Sequence, residues 1–145
     1  MDELIKLENI KTNVEASDWR DAIRKAGELL EKAGSIKSDY IEGMIKSVEE
    51  LGPYIVLMPG FALGHDAPSP SVLKNDLSLI TLTNPVDFGS TNDPVRVVMC
   101  LACTDPKSHM EGIQKVALKL MQDSAIDNMM ACKTEKDLYN FLNAE

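Results

Sequence analysis

The chain has 145 residues, 44% of them apolar and 26% charged, and its 15 Lys and Arg against 23 Asp and Glu leave a formal charge of -8. A chain of this length buries ~68–70% of the surface its unfolded form exposes, enough for one core without a disulfide or metal, so the composition fits one domain over residues 1–145. With a pI near 4.8 and no cluster of Lys and Arg, it lacks the charge to neutralise a row of phosphates, which excludes nucleic acid and an anionic membrane surface. The longest apolar run, Val97 to Cys103, falls far short of the ~20 residues of a membrane span. Met1-Asp2-Glu3 is acidic where a secretory signal is positively charged, and the three Cys cannot all pair internally. These features predict a cytosolic protein with no membrane insertion.

Taken in chain order, Ile10, Thr12, Val14 and Ala16 alternate with polar residues, the period of a half-buried strand. From Trp19 through Ile23, Ala26 and Leu30 the spacing becomes helical, with Ser17 or Asp18 as N-cap and Gly34 as the stop. Ser38 is the expected cap of a second helix, whose stripe of Ile41, Met44, Ile45, Val48 and Leu51 ends at Gly52-Pro53. A short strand, Tyr54 to Met58, follows. The Pro- and Gly-rich stretch from Pro59 to Ser71 reads as a structured loop. Leu77 to Leu82 and Val95 to Cys103 are the next strands, and the second is apolar enough to be covered on both faces, which predicts a central place in the sheet. After Thr104-Asp105-Pro106 a helix is predicted, with Met110, Ile113, Ala117 and Leu120 on its inner face and a capping box from Ser108 to Glu111. A short helical piece from Ser124 to Met130 and a helix from Thr134 to Asn143, with Leu138, Phe141 and Leu142 inside, complete the chain. The interleaving predicts an α/β fold, a single-domain sandwich with a central mixed β-sheet flanked by α-helices in two or three layers. Strand order is not legible in the sequence.

The two His of the chain both fall where imidazole is accessible, His65 in the Pro/Gly-rich loop and His109 in the first turn of a helix. Imidazole is largely neutral near pH 7 and can serve as nucleophile, base or ligand, although a loop His is often only a surface side chain. The helix start would offer His109 unpaired N–H groups that attract phosphate. Metal binding has no support, because no Cys or carboxylate lies at a ligand spacing to either His. Cys100 and Cys103 form a C-x-x-C, but within a strand residues three apart face opposite ways, so both read as buried apolar side chains, as does Cys132. No nucleotide-binding glycine motif is present. Most of the eight Met lie at core spacing, and Phe61 fits either an exposed contact or a buried loop anchor.

The segment Gly52-Pro53-Tyr54-Ile55-Val56-Leu57-Met58-Pro59-Gly60-Phe61-Ala62-Leu63-Gly64-His65, followed by Pro68, Val72 and Lys74, resembles the phosphoacceptor region of type-2 enzyme IIA components of the bacterial phosphotransferase system. The ascorbate-specific branch matches best. Leu79-Ile80-Thr81-Leu82, Pro85, Phe88, Asn92-Asp93-Pro94-Val95, His109 and Ala131-Cys132-Lys133-Thr134-Glu135 extend the resemblance over nearly the whole chain.

The resemblance implies a cytoplasmic phosphotransferase that accepts a phosphoryl group from HPr and passes it to a cysteine of an enzyme IIB, with the enzyme IIC permease as an indirect partner. It implies His65 as the phosphoacceptor nucleophile and His109 as the residue that orients or stabilises the phosphohistidine. No cofactor is implied, phosphoenolpyruvate being the ultimate donor through enzyme I and HPr. The mannitol/fructose-type and nitrogen-regulatory branches, and a regulatory interaction module with weak transfer, are the alternatives. Where such proteins usually carry Pro before the active His and ascorbate-type members often carry Arg before the next Pro, this chain has Gly64 and Ala67. Asp66 adds a negative charge beside the expected phosphate, which predicts a less stable phosphorylated form. The second helix offers only Lys46 where mannitol- and fructose-type relatives present Arg, a further pointer to the ascorbate branch.

Overall fold

The computed structural model describes residues 4–122 and 124–144. After a 3-10 turn at Leu7–Asn9, strand β1 (Ile10–Val14) shows the expected alternation. It ends two residues before the pattern does, because Asn13 turns to φ 55 and the pairing slips between Lys11 and Val14. Helix α1 (Trp19–Lys32) is capped by Asp18, whose carboxylate accepts the Asp21 N–H at 2.9 Å. Helix α2 (Ser38–Leu51) includes Ser38 as its first helical residue; the cap position belongs to Lys37, which makes no side-chain cap bond. Leu51, at the frayed end of the stripe, is exposed, while Tyr40 takes a place in the core.

Strand β2 (Val56–Met58) is followed by β3 (Phe61–Gly64), which occupies the first part of the segment read as a loop. All four β3 residues are buried. Removing such side chains from water stabilises by ~1.5–3 kcal/mol for each large one, enough to hold a four-residue strand that Pro59-Gly60 before it and Pro68 after it disguise as loop. Phe61 is thus a core residue, fully buried, and not a partner contact. Strands β4 (Asp76–Val86) and β5 (Val95–Ala102) follow. The chain then enters α3 (Pro106–Leu120), α4 (Ala125–Ala131) and α5 (Glu135–Asn143).

The sheet order is β1-β4-β5-β3-β2, so β5 is the central strand, as its composition predicts. β1 runs parallel to β4 and β3 parallel to β5, whereas β4 and β5, and β2 and β3, are antiparallel, making the sheet mixed. One apolar cluster lies under α1 and α2 and a second under α3, α4 and α5, so the sandwich has three layers. Cys100 belongs to the first cluster and Cys103 to the second, the opposite-face placement expected along a strand.

The inner face of α3 differs from the sequence reading by one position. Val116 and Leu120 are buried and Ile113 packs against their cluster, whereas Met110 and Ala117 face outward. Asp105 is the N-cap and accepts the Ser108 N–H at 2.8 Å, so the expected capping box at Ser108 does not form. With this face inward, His109 stands toward the sheet end, and Met110, Leu118 and Met121 are exposed. Met44, Met99 and Met129 are buried and Met58 and Met130 pack against the second cluster, so most of the described Met are packing residues, as their spacing predicts.

Candidate functional site

Parallel pairing brings the two His together. Gly64 pairs with Cys100, so β3 and β5 end at the same edge of the sheet and in the same direction. His65 is the first residue beyond β3, and β5 leads through Thr104-Asp105 into the first turn of α3, which carries His109. Their ring centroids are 5.2 Å apart. The antiparallel β2 delivers Tyr54 to the same edge, its ring meeting His65 edge-on at 5.6 Å between centroids. The sequence shows Tyr54 only as the start of the expected Tyr54–Met58 strand and a member of the family-like segment; the strand itself begins at Val56, and the hairpin of β2 and β3 shows where Tyr54 stands.

His65 Nδ1 lies 2.9 Å from the Leu63 carbonyl oxygen. A carbonyl can only accept, so Nδ1 carries the proton and Nε2 keeps its lone pair. The ring is thereby fixed as the tautomer whose far nitrogen is the nucleophile. His109 is held differently: its Nδ1 is buried without a hydrogen-bond partner among the described residues. Burial, and secondarily the neighbouring His65, lower its pKa below the usual 6.5, which favours the neutral ring near pH 7.

The start of α3 does not supply free N–H groups. Pro106 has none, and Asp105 accepts from the Ser108 N–H and from the Ser108 hydroxyl at 3.0 Å, which holds the Asp105 carboxyl below its usual range. The His109 N–H closes the first helical bond onto the Asp105 carbonyl at 3.1 Å. The expected phosphate-attracting helix end is already occupied by an internal carboxylate, and what α3 offers the site is the His109 ring.

Residues on one face of α2 back the site. The Tyr40 hydroxyl donates to the Leu101 carbonyl at 2.8 Å, with the Asp66 carbonyl at 3.2 Å as a second acceptor, and accepts the Asp66 N–H at 3.0 Å. Its burial pushes the phenol pKa upward. The Asp66 carboxylate accepts from the Ser47 hydroxyl at 3.2 Å and from the Ala67 N–H at 2.9 Å. Tyr40, Ser47 and Tyr54 were not legible as site residues, because nothing in a helical stripe or a strand start distinguishes a hydroxyl that reaches a distant loop.

Cys100 and Cys103 take no part; burial pushes their thiols up to about 12 and about 11. Among the described residues no group of three or more His, Cys, Asp and Glu is arranged to hold a metal ion, and no helix is long and apolar enough to cross a membrane. Two imidazoles at van der Waals distance, one with a fixed free Nε2 and one neutral beside it, suit the attack of nitrogen on an electrophilic phosphorus or carbonyl centre.

Comparison with known proteins separates these possibilities. Residues 3–145 match the family described as "Phosphoenolpyruvate-dependent sugar phosphotransferase system, EIIA 2". The "Ascorbate-specific PTS system EIIA component" of Shigella boydii serotype 4 is 32% identical over 98% of this chain and 94% of its own length; that of Escherichia coli K12 is 31% identical over the same shares. Among solved structures, the mannitol-specific cryptic phosphotransferase enzyme IIA CmtB of Escherichia coli superposes with a TM-score of 0.88 at 27% identity, over 98% of this chain and 97% of that one. Enzyme IIAMTL in its complex with phosphorylated enzyme IIBMTL from Escherichia coli gives 0.85 at 25% identity, over 97% of this chain and 98% of that one.

Proposed function

Since this chain belongs to the EIIA 2 family of the phosphoenolpyruvate-dependent sugar phosphotransferase system, a family of phosphotransferases, we propose that it relays a phosphoryl group through His65, taking it from HPr and passing it to a cysteine of an enzyme IIB. The observation that carries this reading is the Leu63 carbonyl on His65 Nδ1, which leaves Nε2 as the attacking atom. In the first half-reaction the Nε2 lone pair forms a new N–P bond while the donor's P–N bond breaks and its electron pair returns to the donor imidazole. The proton stays on Nδ1, donated to the Leu63 carbonyl, throughout. In the second, a thiolate of enzyme IIB forms the S–P bond as the His65 N–P bond breaks. The phosphoryl group carries a charge of about -1.5 to -2 near pH 7, and His109, 5.2 Å away between ring centroids, is the polar neighbour that can steady it.

L-Ascorbate is the proposed transported substrate, supported by relatives named as ascorbate-specific at 31–32% identity, against 25–27% for the mannitol proteins. The sugar itself would be bound by the enzyme IIC permease, and the relay would work at the cytoplasmic face of the membrane without metal or nucleotide. The test is incubation with phosphoenolpyruvate, enzyme I and HPr, followed by intact mass. One acid-labile phosphoryl group on wild type and His109→Ala, and none on His65→Ala, is expected. Absence of label on wild type would sink the relay and leave a module that binds protein partners. Rapid transfer to a mannitol enzyme IIB and none to an ascorbate enzyme IIB would overturn the branch alone.

A further inference from the structure

Asp66 follows the phosphoacceptor directly, yet its carboxylate is committed elsewhere. One oxygen accepts from the Ser47 hydroxyl and the Ala67 N–H. The other lies over Gly43, where a Cβ would stand only 2.5 Å from it. Gly43 is the middle of α2, a position where Gly is unfavourable relative to Ala and its backbone is ordinary helix, so neither propensity nor a turn accounts for it. What it provides is a notch for the Asp66 carboxylate. Tyr40, three residues earlier on the same face, grips both the N–H and the carbonyl of Asp66. No cation pairs with this carboxylate among the described ion pairs; Lys46, the nearest in sequence to Ser47, is paired with Glu50 at 3.8 Å. Asp66, just after His65, is therefore tied to α2 by three hydrogen bonds, while the ring itself is held by the Leu63 carbonyl and by contact with the Tyr54 and His109 rings.

We propose that Asp66 is a positioning residue: seated in the Gly43 notch and held by Ser47 and Tyr40, it fixes the backbone that carries His65, so that the ring keeps Nδ1 on the Leu63 carbonyl and presents Nε2 outward. Its oxygen, and not its charge, performs this task. The kinetic consequence rests on the reading of His65 as phosphoacceptor, but the geometric one does not.

The test measures the ¹⁵N chemical shifts of the His65 ring in the unphosphorylated full chain, and separately the rate of labelling by phosphorylated HPr. Asp66→Ala is expected to move the ring from a fixed Nδ1–H signature to tautomer-averaged shifts and to slow labelling roughly ten-fold, since small misplacements of a nucleophile are costly. Asp66→Asn keeps an accepting oxygen and is expected to retain both properties. Gly43→Ala is expected to reproduce the Asp66→Ala behaviour, because its methyl displaces the carboxylate, and to add nothing once Asp66 is already Ala. Should Asp66→Ala not fold, Ser47→Ala removes one of the two donors and is expected to show a partial shift in the same direction. A fixed tautomer in Asp66→Ala, an Asp66→Asn that behaves like Asp66→Ala, or additive defects of Gly43→Ala and Asp66→Ala would each overturn the proposal. If wild type takes no label, the phosphoacceptor reading fails, while the ring shifts still decide the positioning role.

Discussion

His65 and His109 meet at one edge of the sheet but are prepared by opposite means. His65 stands on the chain that leaves β3, with its tautomer set by a backbone carbonyl and its neighbour Asp66 bound to α2. His109 stands on the first turn of α3, with no hydrogen-bond partner for its buried Nδ1 among the described residues and a pKa lowered chiefly by burial. One imidazole is controlled by hydrogen bonds and the other by desolvation. The difference teaches that a site can divide its needs between two copies of one side chain: a directed lone pair on the first, and neutrality on the second.

The sharpest way to break this division is to exchange the roles. With His65→Ala the free Nε2 is gone, and no label is expected even if His109 is intact, a complete loss readable by intact mass. His109→Ala removes a neighbour of the developing phosphoryl charge and not the nucleophile. Labelling is expected to persist but to slow by about 10²-fold, the usual cost of one stabilising donor; an equal loss in both variants would mean that the two rings are not divided in this way. Tyr54→Ala takes away the edge contact on His65 and is expected to slow transfer by only about three-fold, given the ~0.5–1.5 kcal/mol such ring contacts are worth. Tyr54→Phe, which keeps the ring, is expected to retain the rate.

The pH dependence tests the desolvation of His109 without mutation. A ¹H–¹⁵N titration is expected to find His109 still neutral somewhat below pH 6.5, the direction set by burial. Because its folded pKa lies below the unfolded one, protonation opposes folding: the stability tied to neutral His109 is present above the unfolded pKa and fades as pH falls through the folded value. A His109 titrating above 6.5 would refute the desolvation account. The smallest effect is expected at Asp105. Its carboxyl is held below the usual range by the Ser108 bonds, so the cap is intact at neutral pH and is lost only as pH falls through the lowered value. Asp105→Ala is expected to leave labelling nearly unchanged and to cost a small part of the thermal stability, as measured by calorimetry.

How far the sequence could be read follows from which interactions are local. The helices α1, α2 and α5 and the central place of β5 were legible, because 3.6- and 2-residue periods and an unbroken apolar run are written in neighbouring residues. β3 was not, since four residues between Pro-Gly and Pro carry too short a pattern, and its burial comes from β5 and β2. The inner face of α3 differs from the predicted one by one position, His109 and Val116 standing where Met110 and Ala117 were expected, a choice between adjacent positions of one helical period that packing on the sheet makes.

What the sequence determined by itself was the α/β class, the two His as the residues worth examining, and the membership that the ordered motifs from Gly52 to Lys74 announced. Only the tertiary structure decided that the two rings touch, that His65 is held as the Nδ1–H tautomer, that the α3 start is filled by Asp105, and that Asp66 turns to Gly43 and Ser47. The physical reason is range. Periodicity and capping act over a few residues and leave a trace in the order of side chains, whereas the register of Gly64 on Cys100, 36 positions apart, is fixed by hydrogen bonds and burial that no local pattern records.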